Sequence, residues 1–104
     1  MTPRPPIVFK RIADTAVNHA DAIVRRWLPD GRREGREWVS LNPTRADRKR
    51  GSFKVNLVSG RWSDFATGDG GGDLVSLAAY LFRLSQAEAA LRLAEMLGID
   101  GHDH

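Results

Sequence analysis

Apolar residues in the first quarter of the chain recur at three- and four-residue intervals: Ile12, Ala16, Val17, Ala20, Ile23, Val24, Trp27 and Leu28. Arg11, Asp14, Asn18, Asp21, Arg25 and Arg26 fall largely off that stripe. The spacing predicts one amphipathic helix over residues 9–28, stopped by Pro29, Asp30 and Gly31. A basic turn over 31–35 follows, and then the period shortens to two. Residues 38–41 are apolar and suited to a strand, and they run into a polar loop, NPTRADRKRG, over 42–51. Phe53, Val55 and Leu57 alternate with Lys54 and Asn56, the pattern of a half-buried strand. Ser59-Gly60 marks a turn, and residues 61–65 return as the partner strand of a hairpin.

Two further helices are expected after the glycine loop GDGGG. Asp73 is placed to cap the first, residues 74–82, which is apolar on nearly every side and therefore central. Ser85 with Glu88 forms a capping box for the second. Its inward face is Ala87, Ala90, Leu91, Ala94 and Leu97, and Gly98 ends it. The expected fold is α+β: an N-terminal helix, a small antiparallel sheet of about three strands and two packed C-terminal helices. Phe53, Val55, Leu74, Leu77, Leu81, Leu91 and Leu97 form the expected core. Residues 1–8, with three prolines, read as a flexible arm, 9–99 as one domain and 100–104 as a flexible tail.

Composition narrows the function. At 104 residues the chain is one domain's worth. No apolar run approaches the roughly 18 residues of a membrane span, and no secretory signal is evident, so a cytoplasmic protein with no membrane partner is expected. There is no cysteine, so disulfides and thiolate metal sites are excluded. Charge is unevenly placed. Residues 1–61 hold 14 Lys/Arg against 6 Asp/Glu, a balance of +8, and residues 62–104 hold 2 against 7, a balance of −5. A basic first part suits a polyanion.

No catalytic constellation is visible. GDGGG precedes a helix, where backbone N–H groups attract anions, but it lacks the lysine and hydroxyl of a phosphate loop. A tight turn before a capped helix explains it better. Asp64, Asp69 and Asp73 fit neither a calcium loop nor a paired catalytic carboxylate. His19 reads as surface, and His102 and His104 lie in the expected tail. The strongest functional feature is basic: Arg45, Arg48, Lys49, Arg50, Lys54 and Arg61 fall on the hairpin and its entry loop, where they would neutralise phosphates. Trp62 or Trp38 would be candidates to stack on an unpaired base, against the alternative that both are core.

Residues 28–99 resemble the N-terminal module of phage, plasmid and integrative-element primases or primase-helicases, itself related to the zinc ribbon of bacterial replicative primases. The resemblance rests on LPDGRREGREWVSLNPTRADRKRGSFKVNL, GRWSDFATGDGGGDLVSLAAYL and LSQAEAALRLAEMLGI. Gly51-Ser52-Phe53 is similar to the family's Pro-Ser-Phe strand, Arg61-Trp62-Ser63-Asp64-Phe65 to its aromatic strand, and Gly72-Asp73 to its helix start. Asn42-Pro43-Thr44 stands near the first pair of zinc ligands, and Asp64 and Thr67 near the second, Cys-x-x-Cys, pair. Every thiolate is gone, so the family's zinc site cannot form. Side-chain packing and hydrogen bonding around the hairpin and loop must replace it.

The resemblance implies a zinc-ribbon-like module without zinc or other cofactor, and not an enzyme in itself. Such a module engages template or single-stranded DNA in replication priming. The chemistry would belong to a separate primase or helicase catalytic domain, a further expected partner. The alternative is a protein-docking module of a mobile-element replication complex, working through the acidic C-terminal helices.

Overall fold

A computed structural model describes residues 5–46 and 51–103. Among them are four helices and five strands, an α+β fold as the patterning implies. Helices α1 (Phe9–Val17) and α2 (Ala20–Trp27) come first. Strands β1 (Arg32–Glu34), β2 (Glu37–Ser40), β3 (Phe53–Asn56), β4 (Trp62–Asp64) and β5 (Asp69–Gly71) follow. Helices α3 (Leu74–Phe82) and α4 (Gln86–Leu97) complete the chain. The sheet is an antiparallel meander in sequence order.

The single helix expected over residues 9–28 is two helices, parted at Asn18 and His19. The apolar stripe runs on across the break, with Ile12, Ala16, Ala20, Ile23 and Val24 all buried. The bend therefore costs no burial, and periodicity cannot reveal it. The sheet has five strands rather than about three. The basic turn begins as β1 and the glycine loop ends as β5. Neither has apolar alternation, and each is a strand because its neighbour offers an unsatisfied row of backbone groups.

Trp38, Phe53, Val55 and Trp62 cover the inner face of the sheet and pack with Leu74, Leu77 and Ala78 of α3. The Phe53, Trp62 and Tyr80 rings form a cluster with centroids 4.6–6.4 Å apart. Asp73 accepts from the Ser76 N–H at 2.8 Å, the expected cap, and Ser85 and Glu88 close their capping box at 3.1 and 3.3 Å. Of the expected core, Phe53, Val55, Leu74 and Leu77 are fully buried, whereas Leu81, Leu91 and Leu97 are half-buried. The buried face of α4 is Ala89, Ala90, Leu93 and Ala94, with Ala87 exposed. Its phase is turned from the expected one because alanine and leucine fill nearly every spacing and point nowhere in particular.

Residues near the two ends pair where an arm and a tail were expected. Ile7 bridges His102, and the Val8 N–H donates to Gly101 O at 3.0 Å. A side chain at Gly101 would collide with Leu91, so the segment lies close on α4. No helix among the described residues is long and apolar enough to cross a membrane.

Candidate nucleic-acid interface

Strand alternation divides the sheet residues into two sets. The register aligns Trp38, Val55, Trp62 and Gly71 on the side facing α3, and Val39, Lys54, Ser63 and Gly70 on the other. On that outer side Lys54, Asn56, Arg61, Ser63 and Gly70 line a groove of about 500 Å³, together with the acids Glu37 and Asp69. Lys54 and Arg61, two of the expected nucleic-acid contacts, thus share one surface. Arg48, Lys49 and Arg50 lie outside the described residues.

Trp62 borders the groove, but its indole belongs to the core. It is 6% exposed, and its Nε1–H donates to Ser76 Oγ at 2.9 Å. A side chain at Gly71 would collide with that indole and with Ser76 Oγ, so a glycine is required where β5 crosses the Trp62–Ser76 contact. Trp38 is likewise core. It donates to Leu28 O at 3.0 Å, and the Arg25 guanidinium covers its ring at 4.9 Å. Both tryptophans take the packing role, and neither offers a face to a base.

Arg45 also has a role the sequence did not announce. Its Nε and Nη2 donate to the two carboxylate oxygens of Asp64 at 3.1 and 3.4 Å, and Nη2 reaches Ser52 Oγ at 3.2 Å. The side chain is 31% exposed and Asp64 is 0% exposed. Arg45 is therefore a strut for a buried carboxylate before it is a phosphate contact.

That carboxylate belongs to a closed polar cluster. Asn42 Nδ2 donates to Asp64 Oδ2 at 2.8 Å and to the Tyr80 hydroxyl at 2.9 Å. Asn42 Oδ1 accepts from the N–H and hydroxyl of Thr44 at 2.9 and 2.7 Å. Tyr80 donates to Asp69 Oδ2 at 2.8 Å, which also accepts from Thr67 Oγ1 at 3.0 Å. The Thr67 N–H returns to Asp64 O at 3.3 Å, and Ala66 N–H donates to Asp64 Oδ1 at 2.9 Å. Burial alone would push the Asp64 carboxyl up. Hydrogen bonds from Asn42, Arg45, Ala66 and Ser52 outweigh it and hold the group down at about 2.

Asn42, Thr44, Asp64 and Thr67, the positions the resemblance sets at the two ligand pairs, thus come together as a hydrogen-bonded unit. Its donor set does not suit zinc. Amide, hydroxyl and a single buried carboxylate already gripped by arginine replace the nitrogen and sulfur ligands zinc prefers. Among the described residues no group of three or more His, Cys, Asp and Glu is placed to hold a metal ion. Tyr80 was not legible as a member, since it lies 38 positions from Asn42. The exposure of Phe65 was also not read from the sequence. It is 74% exposed, and the alternation Trp62 in, Ser63 out, Asp64 in was the signal that should have turned it outward.

No protein-family model and no curated protein matches the chain. Among solved structures it is similar to the crystal structure of the Aquifex aeolicus primase, comprising zinc-binding and RNA polymerase domains. The TM-score is 0.75 at 22% identity, over 88% of this chain and 22% of that one. The two share a fold, and this chain spans less than a quarter of the primase structure.

Proposed function

We propose that the protein is a non-catalytic nucleic-acid-binding module of the primase or primase-helicase kind, metal-free, that engages template or single-stranded DNA during replication priming. The priming chemistry belongs to a separate catalytic domain. The observation that carries this reading is the pair Lys54 and Arg61 in one groove across the outer side of the sheet, on a chain with a primase-like fold. Arg48, Lys49 and Arg50 precede β3 in the sequence. Such cations bind by displacing counterions from phosphates.

A salt titration of binding to single- and double-stranded DNA tests the reading. Each phosphate contact contributes about −0.7 to the slope of log K against log salt for a single strand. Replacing Lys54 and Arg61 together by Ala should flatten that slope by roughly 1.4. Binding that is weak at low salt, or indifferent to the double substitution, transfers support to a second reading, a protein-docking module. One feature favours that alternative. Trp27, Phe82, Leu84, Leu93 and Met96 line an apolar groove of about 420 Å³ on the helical side.

A further inference from the structure

Among the described residues Phe65 is the most exposed large hydrophobic side chain, at 74%. A lone exposed apolar residue needs no explanation by itself. Its place on the strand distinguishes it. Arg61, Ser63 and Phe65 are spaced by two along one strand and its extension, so alternation sends all three away from the side that Trp62 and Asp64 occupy. Lys54 stands across the ladder from Ser63. Four residues at about 3.3 Å each separate Arg61 from Phe65 by about 13 Å. A cation, a second cation beside the midpoint and an aromatic ring therefore follow one another along the outer side of β4. Val58, 64% exposed, lies at the β3–β4 turn, beyond this line.

The backbone that carries the ring is held in place. The Phe65 N–H donates to Ser52 O at 3.0 Å. Phe65 opens the turn that follows β4, and Thr67 and Gly68 N–H groups fix that turn by donating to Asp64 O at 3.3 and 2.8 Å. Asp64, the adjacent acid, is buried; of the two acids that border the groove, Glu37 and Asp69, Asp69 has its carboxylate engaged by Tyr80 and Thr67. An exposed ring on a fixed backbone, beside two cations, is an arrangement that suits single strands, with phosphates on the cations and a base on the ring.

We infer that Phe65 is the base-stacking residue of this surface and that its ligand is an unpaired base in a strand whose phosphates lie along Lys54 and Arg61. The inference rests on the nucleic-acid reading above and narrows it to single strands, with little base preference because every base presents a π-face.

The test compares an oligo(dT) with an abasic phosphodiester strand of equal length and charge. Wild type should bind oligo(dT) more tightly. Phe65→Ala should weaken oligo(dT) binding roughly 5- to 150-fold, leave abasic binding and the salt slope unchanged, and keep the wild-type melting temperature. Phe65→Trp should retain the preference. If wild type binds neither strand, the nucleic-acid reading itself falls. If wild type binds oligo(dT) and Phe65→Ala binds it equally well, or loses the abasic strand to the same extent, the stacking role alone is overturned.

Discussion

Asn42 and Asp64, 22 positions apart, meet through a 2.8 Å hydrogen bond inside the protein. The bond joins the loop after β2 to the end of β4, and Tyr80 extends the connection to α3. Three parts of the fold thus converge on one amide and one carboxylate. Their proximity matters because a buried, ionised carboxylate is tolerated only with its acceptor capacity filled.

Asp64→Ala should destabilise the fold by about 3 kcal/mol at neutral pH. That is the lower end for breaking a buried pair, because Arg45 is 31% exposed and water can take over its charge. The Asn42 amide and Ala66 N–H would lose their acceptor. Urea unfolding measures the effect, and a loss below about 1 kcal/mol would deny the cluster its structural role.

Acid should act through the same group. The Asp64 pKa falls from 3.8 to about 2 on folding. Its contribution is therefore fully present above about pH 5 and is lost as pH falls through 4 toward 2. The size is about 2–3 kcal/mol. Unfolding free energies measured from pH 6 to 2 should show this decline in wild type, and Asp64→Asn should lack that portion.

A strong chelator should leave the melting temperature unchanged, since hydrogen bonds occupy the place where the resemblance sets zinc. Protein purified without added metal should carry no stoichiometric zinc. Zinc at one equivalent, with melting on chelation, would overturn the metal-free reading.

Leu77→Ala should cost about 2–5 kcal/mol, the range for a fully buried leucine, and Leu81→Ala, half-buried, should cost less. Thermal or urea denaturation of the two variants checks the phase of α3.

Legibility followed locality. The caps at Asp73 and Ser85 could be read because donor and acceptor lie within three residues of each other. The β3–β4 hairpin could be read from alternation and a short turn. The break at Asn18 was hidden by an unbroken apolar stripe, and β1 and β5 by their lack of apolar side chains. The outward facing of Lys54 was legible by alternation. The same rule applied on either side of Ser63 would have turned Trp62 inward and Phe65 outward. Arg45 looked like its basic neighbours because its partner Asp64 is 19 positions away.

Replacing Arg48, Lys49 and Arg50 by Ala should flatten the single-strand salt slope by roughly 2 if all three contact phosphate. Base preference should not change, since phosphate contacts position a strand without reading it. Fluorescence anisotropy at several salt concentrations measures both. An unchanged slope would remove these three residues from the interface.

The two borders of the sheet have a consequence for how copies of the chain meet one another. One border, β1, is Arg32, Arg33 and Glu34, all exposed. The other, β5, is three residues long, with Gly70 and Gly71 offering no side chain to grip an incoming strand. An edge that is short, charged or bare is a poor template for main-chain addition. Edge-to-edge growth into aggregates is therefore disfavoured even where many copies crowd side by side.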